Sequence, residues 1–348
     1  MRTHRLLRNL LPAIIVIFGA GSSLLAEEAQ KPQKLKIGII PVPEHSKLIV
    51  AKEQGFFAKE GLDVELVEFA NSADGMTALR AGQTDAASVG VTAPLVHIAK
   101  GADNIRIIGG LGGEGSAIIT RPELEKKTAQ LKDFKGLKVG TVRLSSSDAI
   151  VRAELAKAGV DWRKDIQIFE LKNPAAVVEA VKSKEVDVGV VWAPFDIKAR
   201  DAGLVVAIKT GKLSPGHPCC RIAVLSENLS SQPDTWKRYL RAILLAERFI
   251  AENRQATVDT VTKHLKIESR LVEEVVYGGD TEFSSDPNVQ GIALFWDAMK
   301  NSAFVESTAD IRKYIDLAPY KAAVDSFVTD ASKDEYWTAR LAQFKSRN

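Results

Sequence analysis

The chain has 348 residues, 45% hydrophobic and 26% charged, a composition that excludes a disordered or fibrous protein and a length that suits two domains of roughly 100–200 residues. Its formal charge of +3 is carried by Arg2, Arg5 and Arg8, since no acidic residue precedes Glu27. The rest of the chain is formally neutral, so neither nucleic acid nor an anionic membrane surface is an expected partner.

In chain order, the three arginines lead into an apolar run from Leu10 to Ala20 and then the small residues from Gly21 to Ala26. That order predicts a secretory signal peptide over 1–26, removed to leave a soluble periplasmic protein. The apolar run is shorter than the ~20 residues that span a bilayer. Residues 27–34 read as a polar tail.

Leu35–Ile40 predicts a strand, stopped by Pro41 and Pro43, and Ser46–Lys59 a helix. Val64–Phe69 alternates as a strand, Asn71 to Asp74 cap a helix toward Arg80, and Asp85–Val89 is a short buried strand. The pattern restarts after residue 120. Strands are expected at 137–142, 166–171, 186–191 and 204–208, with helices after Ser145 and at Pro174. A further strand falls at Ile222–Leu225, and helices dominate from Trp236 onward. Strands alternating with helices imply parallel βαβ units.

Two α/β lobes follow from this order, each a mostly parallel sheet flanked by helices. Lobe one takes 34–120, lobe two 121–217, and the segment 218–340 returns to lobe one. Paired crossings near Thr120 and His217 make a hinge. An internal echo supports two similar lobes: the helix from Gly75 leads to Asp85 at a strand start, and the helix from Ala175 leads to Asp187 at another.

Several segments resemble the solute-binding proteins of ABC importers for nitrate, sulfonate, taurine and thiamine precursors. The resemblance rests on Gln54-Gly55-Phe56-Phe57-Ala58-Lys59-Glu60-Gly61-Leu62-Asp63-Val64, on Ala81, Gly82 and Asp85, and on Val89-Gly90-Val91-Thr92-Ala93-Pro94. Phe134-Lys135-Gly136-Leu137-Lys138-Val139-Gly140 and Val191-Trp192-Ala193-Pro194-Phe195 add to it. It implies the type II periplasmic-binding-protein fold, with the lobes closing on a ligand. It further implies an ABC permease as partner, a monomer, no cofactor or metal, and no catalysis. A small organic anion, a sulfonate or carboxylate, is the expected solute. The alternatives are a thiamine-precursor-like heterocycle, or an enzyme resembling the thiamine-pyrimidine synthases, which carry a cysteine-rich stretch where this chain has only Cys219 and Cys220.

Ligands of open α/β sheets sit beyond the carboxyl ends of strands, near helix N-termini that receive anions. This places Glu44, His45 and Ser46 at the cleft, with N-capping as the other role for Ser46. Gly90, Val91 and Thr92 end the third strand and open a helix. Gly113 and Glu114 lie in a glycine-rich loop that reads equally as a plain turn. Arg143 with Ser145, Ser146 and Ser147 forms a candidate anion grip, and Asp148 is expected to point outward. Trp192 and Phe195 are a candidate apolar wall. His217 is a candidate ligand residue beside the adjacent pair Cys219-Cys220, whose spacing falls short of a metal site.

Overall fold

The run around Ile37 forms β1 (Gln33–Ile39), with Ile37 and Ile39 buried. This computed structural model describes residues 31–330 and 334–348, so the expected signal peptide lies outside the described residues. After β1 come β2 (Leu62–Glu68), β3 (Ala86–Gly90), β4 (Ile105–Gly110) and the short β5 (Gly113–Glu114). The next block is β6 (Ser116–Thr120), β7 (Lys138–Val142), β8 (Gln167–Leu171), β9 (Val188–Trp192) and β10 (Val205–Lys209). The chain returns through β11 (Cys220–Leu225), and β12 (Thr281–Glu282) pairs with β5.

The first sheet has the order β2-β1-β3-β11-β4 and the second β10-β6-β9-β7-β8. β1 runs parallel to β2 and β3, whereas β11 is antiparallel to both β3 and β4. β7 likewise runs parallel to β8 and β9, whereas β6 is antiparallel to both β9 and β10. Four strands of each sheet therefore share one direction, as the alternating pattern predicts. The reversed strand in each is the one that has just crossed from the other half.

The two halves are built alike where the sequence echoes. Asp85 accepts from the N–H of Lys36 (2.7 Å) and donates its own N–H to the Lys36 carbonyl (2.7 Å). Asp187 repeats both bonds with Lys138, at 2.9 and 2.8 Å. Asn71 and Asn173 N-cap the helices that precede these aspartates.

Two elements differ from expectation. The Ser46–Lys59 helix is broken into Ser46–Glu53 and Phe56–Lys59, because Gly55 takes a left-handed φ of 71° that only glycine adopts freely. β6, assigned above to lobe one, is hydrogen-bonded into the second sheet, so the chain changes sheets between Gly110 and Ser116.

The helical tail anchors the loop that follows β1. Lys47 is fully buried, its ammonium 3.1 Å from Glu247 on the Pro233–Glu252 helix. Glu247 also accepts from Arg340 (2.9 Å) and from the N–H of Ser285 (2.6 Å). This network fixes the first turn of the Ser46–Glu53 helix and the Glu44–His45 pair before it. Among the described residues no helix is long and apolar enough to cross a membrane.

Candidate functional site

The carboxyl ends of β1, β3, β7 and β9 meet the starts of the reversed strands β6 and β11 around a cavity of about 30 Å³ open to the centres of water-sized atoms. That admits a solute of a few heavy atoms and lies far below a drug-sized pocket. Its wall contains Glu44, His45, Gly90, Ser145, Ser146, Ser147 and Trp192.

Two helix N-termini, one from each half, converge at Gly90. Ser145 N-caps the Ser146–Lys157 helix, its Oγ accepting from the Asp148 N–H at 3.2 Å. Ser147 donates to the Ser145 hydroxyl (3.2 Å) and Ser146 to the Cys219 carbonyl (3.2 Å). The first-turn N–H groups of Ser146 and Ser147 have no acceptor within their own helix, and the dipole adds about half a positive charge there. From the other half, Ser72 opens the Ser72–Arg80 helix and accepts from the Gly90 N–H at 3.0 Å. A Cβ on Gly90 would stand 2.9 Å from Ser146 Oγ and 3.1 Å from Ser72 Oγ. A side chain at this position would push the two hydroxyls apart.

His45 is wholly buried and its Nδ1 accepts from the Ile40 N–H at 3.3 Å. Burial holds its pKa down at about 3, so the ring is neutral and its proton sits on Nε2, which has no partner. It is a donor aimed at no protein group. Burial pushes the Glu44 carboxyl well above the usual carboxylate range, and the nearby acidic groups Cys219 and Asp196 push it further. Its Oε2 also lacks a partner. Cys219 and Cys220 are free thiols, their sulfurs 3.5 Å apart, and both face the cavity. A hydrogen bond from Cys220 lowers the Cys219 thiol pKa and raises that of Cys220. No lysine or arginine is among the described residues of the wall.

Other expected residues stand behind or away from the wall. Ser46 donates to the Pro43 carbonyl, and Val91 donates its N–H to Cys219 (2.7 Å). Thr92 is buried with its hydroxyl unpartnered. Gly113 and Glu114 form β5, where Glu114 accepts from the Gly216 N–H at 2.6 Å and ties the glycine-rich loop to the return crossing. His217 bonds Ser214 (2.6 Å) and lines a separate groove beside the Val289–Asn301 helix. Phe195 packs into the core of the second sheet. Arg143 is exposed and outside the cavity. Asp148 is buried rather than outward, because Arg152 pairs with both its oxygens at 2.7 and 3.0 Å. The wall also contains Ile40, Val42, Ser72, Ser116, Cys219 and Cys220, which residue patterns did not single out as ligand residues. For Ser72 and Ser116 the available signal is a small hydroxyl at the cleft end of a helix or strand.

Two mostly parallel sheets with a small cavity at their strand ends define a periplasmic-binding-protein fold. The solved periplasmic nitrate-binding protein NrtA of Synechocystis superposes on it with a TM-score of 0.76 at 20% identity, over 87% of this chain and 91% of that one. Residues 28–265 match the model of the NMT1-like family, and the chain belongs to that family. A Brucella abortus (strain 2308) protein named as a binding protein is 30% identical over 241 residues, 68% of this chain and 73% of that one. A Bacillus subtilis (strain 168) protein named for aliphatic sulfonates is 24% identical over 328 residues, 91% and 96% of the two chains.

Proposed function

We propose that the protein is the extracytoplasmic solute-binding component of an ABC importer, capturing a small anion and presenting it to a membrane permease. The observation that carries this reading is the meeting of two helix N-termini at Gly90 inside a small, solute-sized cavity. Orphan N–H groups and the neutral His45 donor accept an anion without any cationic side chain. The names of the relatives, for sulfonate and nitrate, support the same class. The cavity's size disfavours a heterocycle. Two lobes, one on each sheet, close on the solute about the crossings at 110–116 and 209–220. The basic, apolar and small-residue order of 1–26 supports export.

The test is a calorimetric titration of the chain starting at Glu27 with nitrate, bicarbonate, acetate, methanesulfonate and ethanesulfonate. At least one binds and raises the melting temperature. Ser146→Ala weakens that binding several-fold, whereas Arg143→Ala leaves it unchanged. Absence of binding across the set contradicts the proposal.

A further inference from the structure

The return crossing carries a pair of groups that solute capture does not use. Cys219 and Cys220 are the chain's two cysteines, and both are free thiols. Neighbouring side chains on an extended strand point to opposite faces. Here the chain leaves that pleat just before β11, and the two sulfurs lie 3.5 Å apart on the cavity side. Cys219 is partly exposed, whereas Cys220 is buried. The hydrogen bond from Cys220, with Arg221 and Ser146 close by, favours the thiolate of Cys219, the form that attacks a disulfide.

The peptide between the two cysteines is also a meeting point of the halves. Its carbonyl, that of Cys219, accepts from the Val91 N–H at 2.7 Å and from the Ser146 hydroxyl at 3.2 Å. Val91 directly follows β3 of the first sheet, and Ser146 opens the helix after β7 of the second. A disulfide between adjacent residues closes a small ring through this one peptide and strains both. Strained disulfides are readily reduced, so such a bridge is labile rather than structural.

We propose that Cys219 and Cys220 form a reversible dithiol–disulfide switch, whose oxidation turns the Cys219 carbonyl away from Val91 and Ser146 and loosens the cavity. The oxidant is a small disulfide of the glutathione type. The Cys219 thiolate attacks one of its sulfurs and expels a first thiol, leaving a mixed disulfide. Cys220 then loses its proton and attacks the Cys219 Sγ, and the second thiol leaves. Two electrons and two protons pass in all from the protein dithiol to the oxidant. Disulfides persist outside the cytoplasm, where the importer reading puts the chain, but the switch does not depend on which solute binds.

The chain starting at Glu27 is equilibrated in mixtures of reduced and oxidised glutathione and read by thiol titration, intact mass and amide exchange. Oxidation is expected to remove both titratable thiols, with the loss of two hydrogens from the monomer. The Val91 amide then exchanges about tenfold faster or more, and dithiothreitol restores its protection. An acid that binds the reduced protein is expected to bind the oxidised one about fivefold to tenfold more weakly, the loss of one hydrogen bond at the site. Cys220→Ser is expected to retain one glutathione on Cys219, whereas Cys219→Ser takes up none. Thiols that survive in the folded protein, a linked dimer, or thiols lost only as mixed disulfides overturn the switch. An internal disulfide that leaves Val91 exchange or acid affinity unchanged overturns its coupling to the cavity. Glutathione held by Cys219→Ser overturns the assigned order of attack. Failure of every acid to bind removes the importer reading alone, and Val91 exchange still decides the switch.

Discussion

A carboxyl as deeply buried as that of Glu44, with acidic neighbours and no cation, lowers the stability of the empty protein. Its pKa is raised on folding. Above the ordinary carboxylate range the folded protein therefore holds a proton that the unfolded chain releases, and stability falls as pH rises through that interval. His45 acts in the opposite sense: its pKa drops to about 3, so stability falls as pH is lowered below about 6.5. Comparing variant with parent isolates Glu44. Glu44→Gln is expected to raise the unliganded melting temperature at pH 7.5 by a few degrees, on the order of 1–3 kcal/mol, with the gain shrinking toward pH 4. A melt lowered at pH 7.5 counts against the buried, unpaired carboxyl. Glu44, His45 and Ser145–Ser147 were legible in the sequence because they directly follow strands. Arg143 shares that position yet faces solvent, since a strand-to-helix junction does not fix where a long side chain points.

At the scale of elements, the Asp85 and Asp187 staples tie the entry of β3 to β1 at Lys36 and the entry of β9 to β7 at Lys138. Asp85→Ala is expected to cost about 1–2 kcal/mol, and Asp187→Ala somewhat more because Asp187 also meets Arg121 at 3.3 Å. Thermal melts read both, and equal stability of variant and parent would remove the staple from the account. Gly90→Ala adds a Cβ 2.9 Å from the Ser146 hydroxyl of the opposite half. The backbone itself tolerates alanine, as Gly90 is not among the positive-φ glycines. Affinity for whichever acid binds the parent is expected to fall about tenfold or more, with little change in the empty protein's melt. Unchanged affinity would mean that the two helix ends do not need this approach to hold solute. The repeated helix, turn and aspartate were readable locally because both ends of the motif lie within a dozen residues. β6 was not: Ser116–Thr120 follows glycine-rich chain and its partners, β9 and β10, come some 70–90 residues later. Pairing that distant leaves no local periodicity to read.

For the whole molecule, the reversed strands β6 and β11 carry the chain between sheets, and their starts form part of the cavity wall. The connections between the sheets thus supply Ser116, Cys219 and Cys220 to the cavity wall. On the proposed hinge, rotation about them is expected to separate Gly90 from Ser146 and open the cavity while each sheet keeps its own hydrogen bonds. Scattering profiles of the chain starting at Glu27 are expected to contract on saturation with the acid that binds it, and a profile unaltered at saturation contradicts hinge closure. Residues of the two halves already touch outside the cavity, where Trp162 donates to the Ser302 carbonyl at 2.8 Å. The fold class was legible because alternating strands and helices admit few topologies; the wall was only partly so, since it forms when distant segments meet. The most direct test of the central claim is a crystal structure with the tightest-binding acid from the titrations. Density in the cavity against the Ser146 helix end, with an acidic group beside Gly90, is the predicted result. Density in the groove beside His217 and Leu294, with the cavity holding only water, would contradict it.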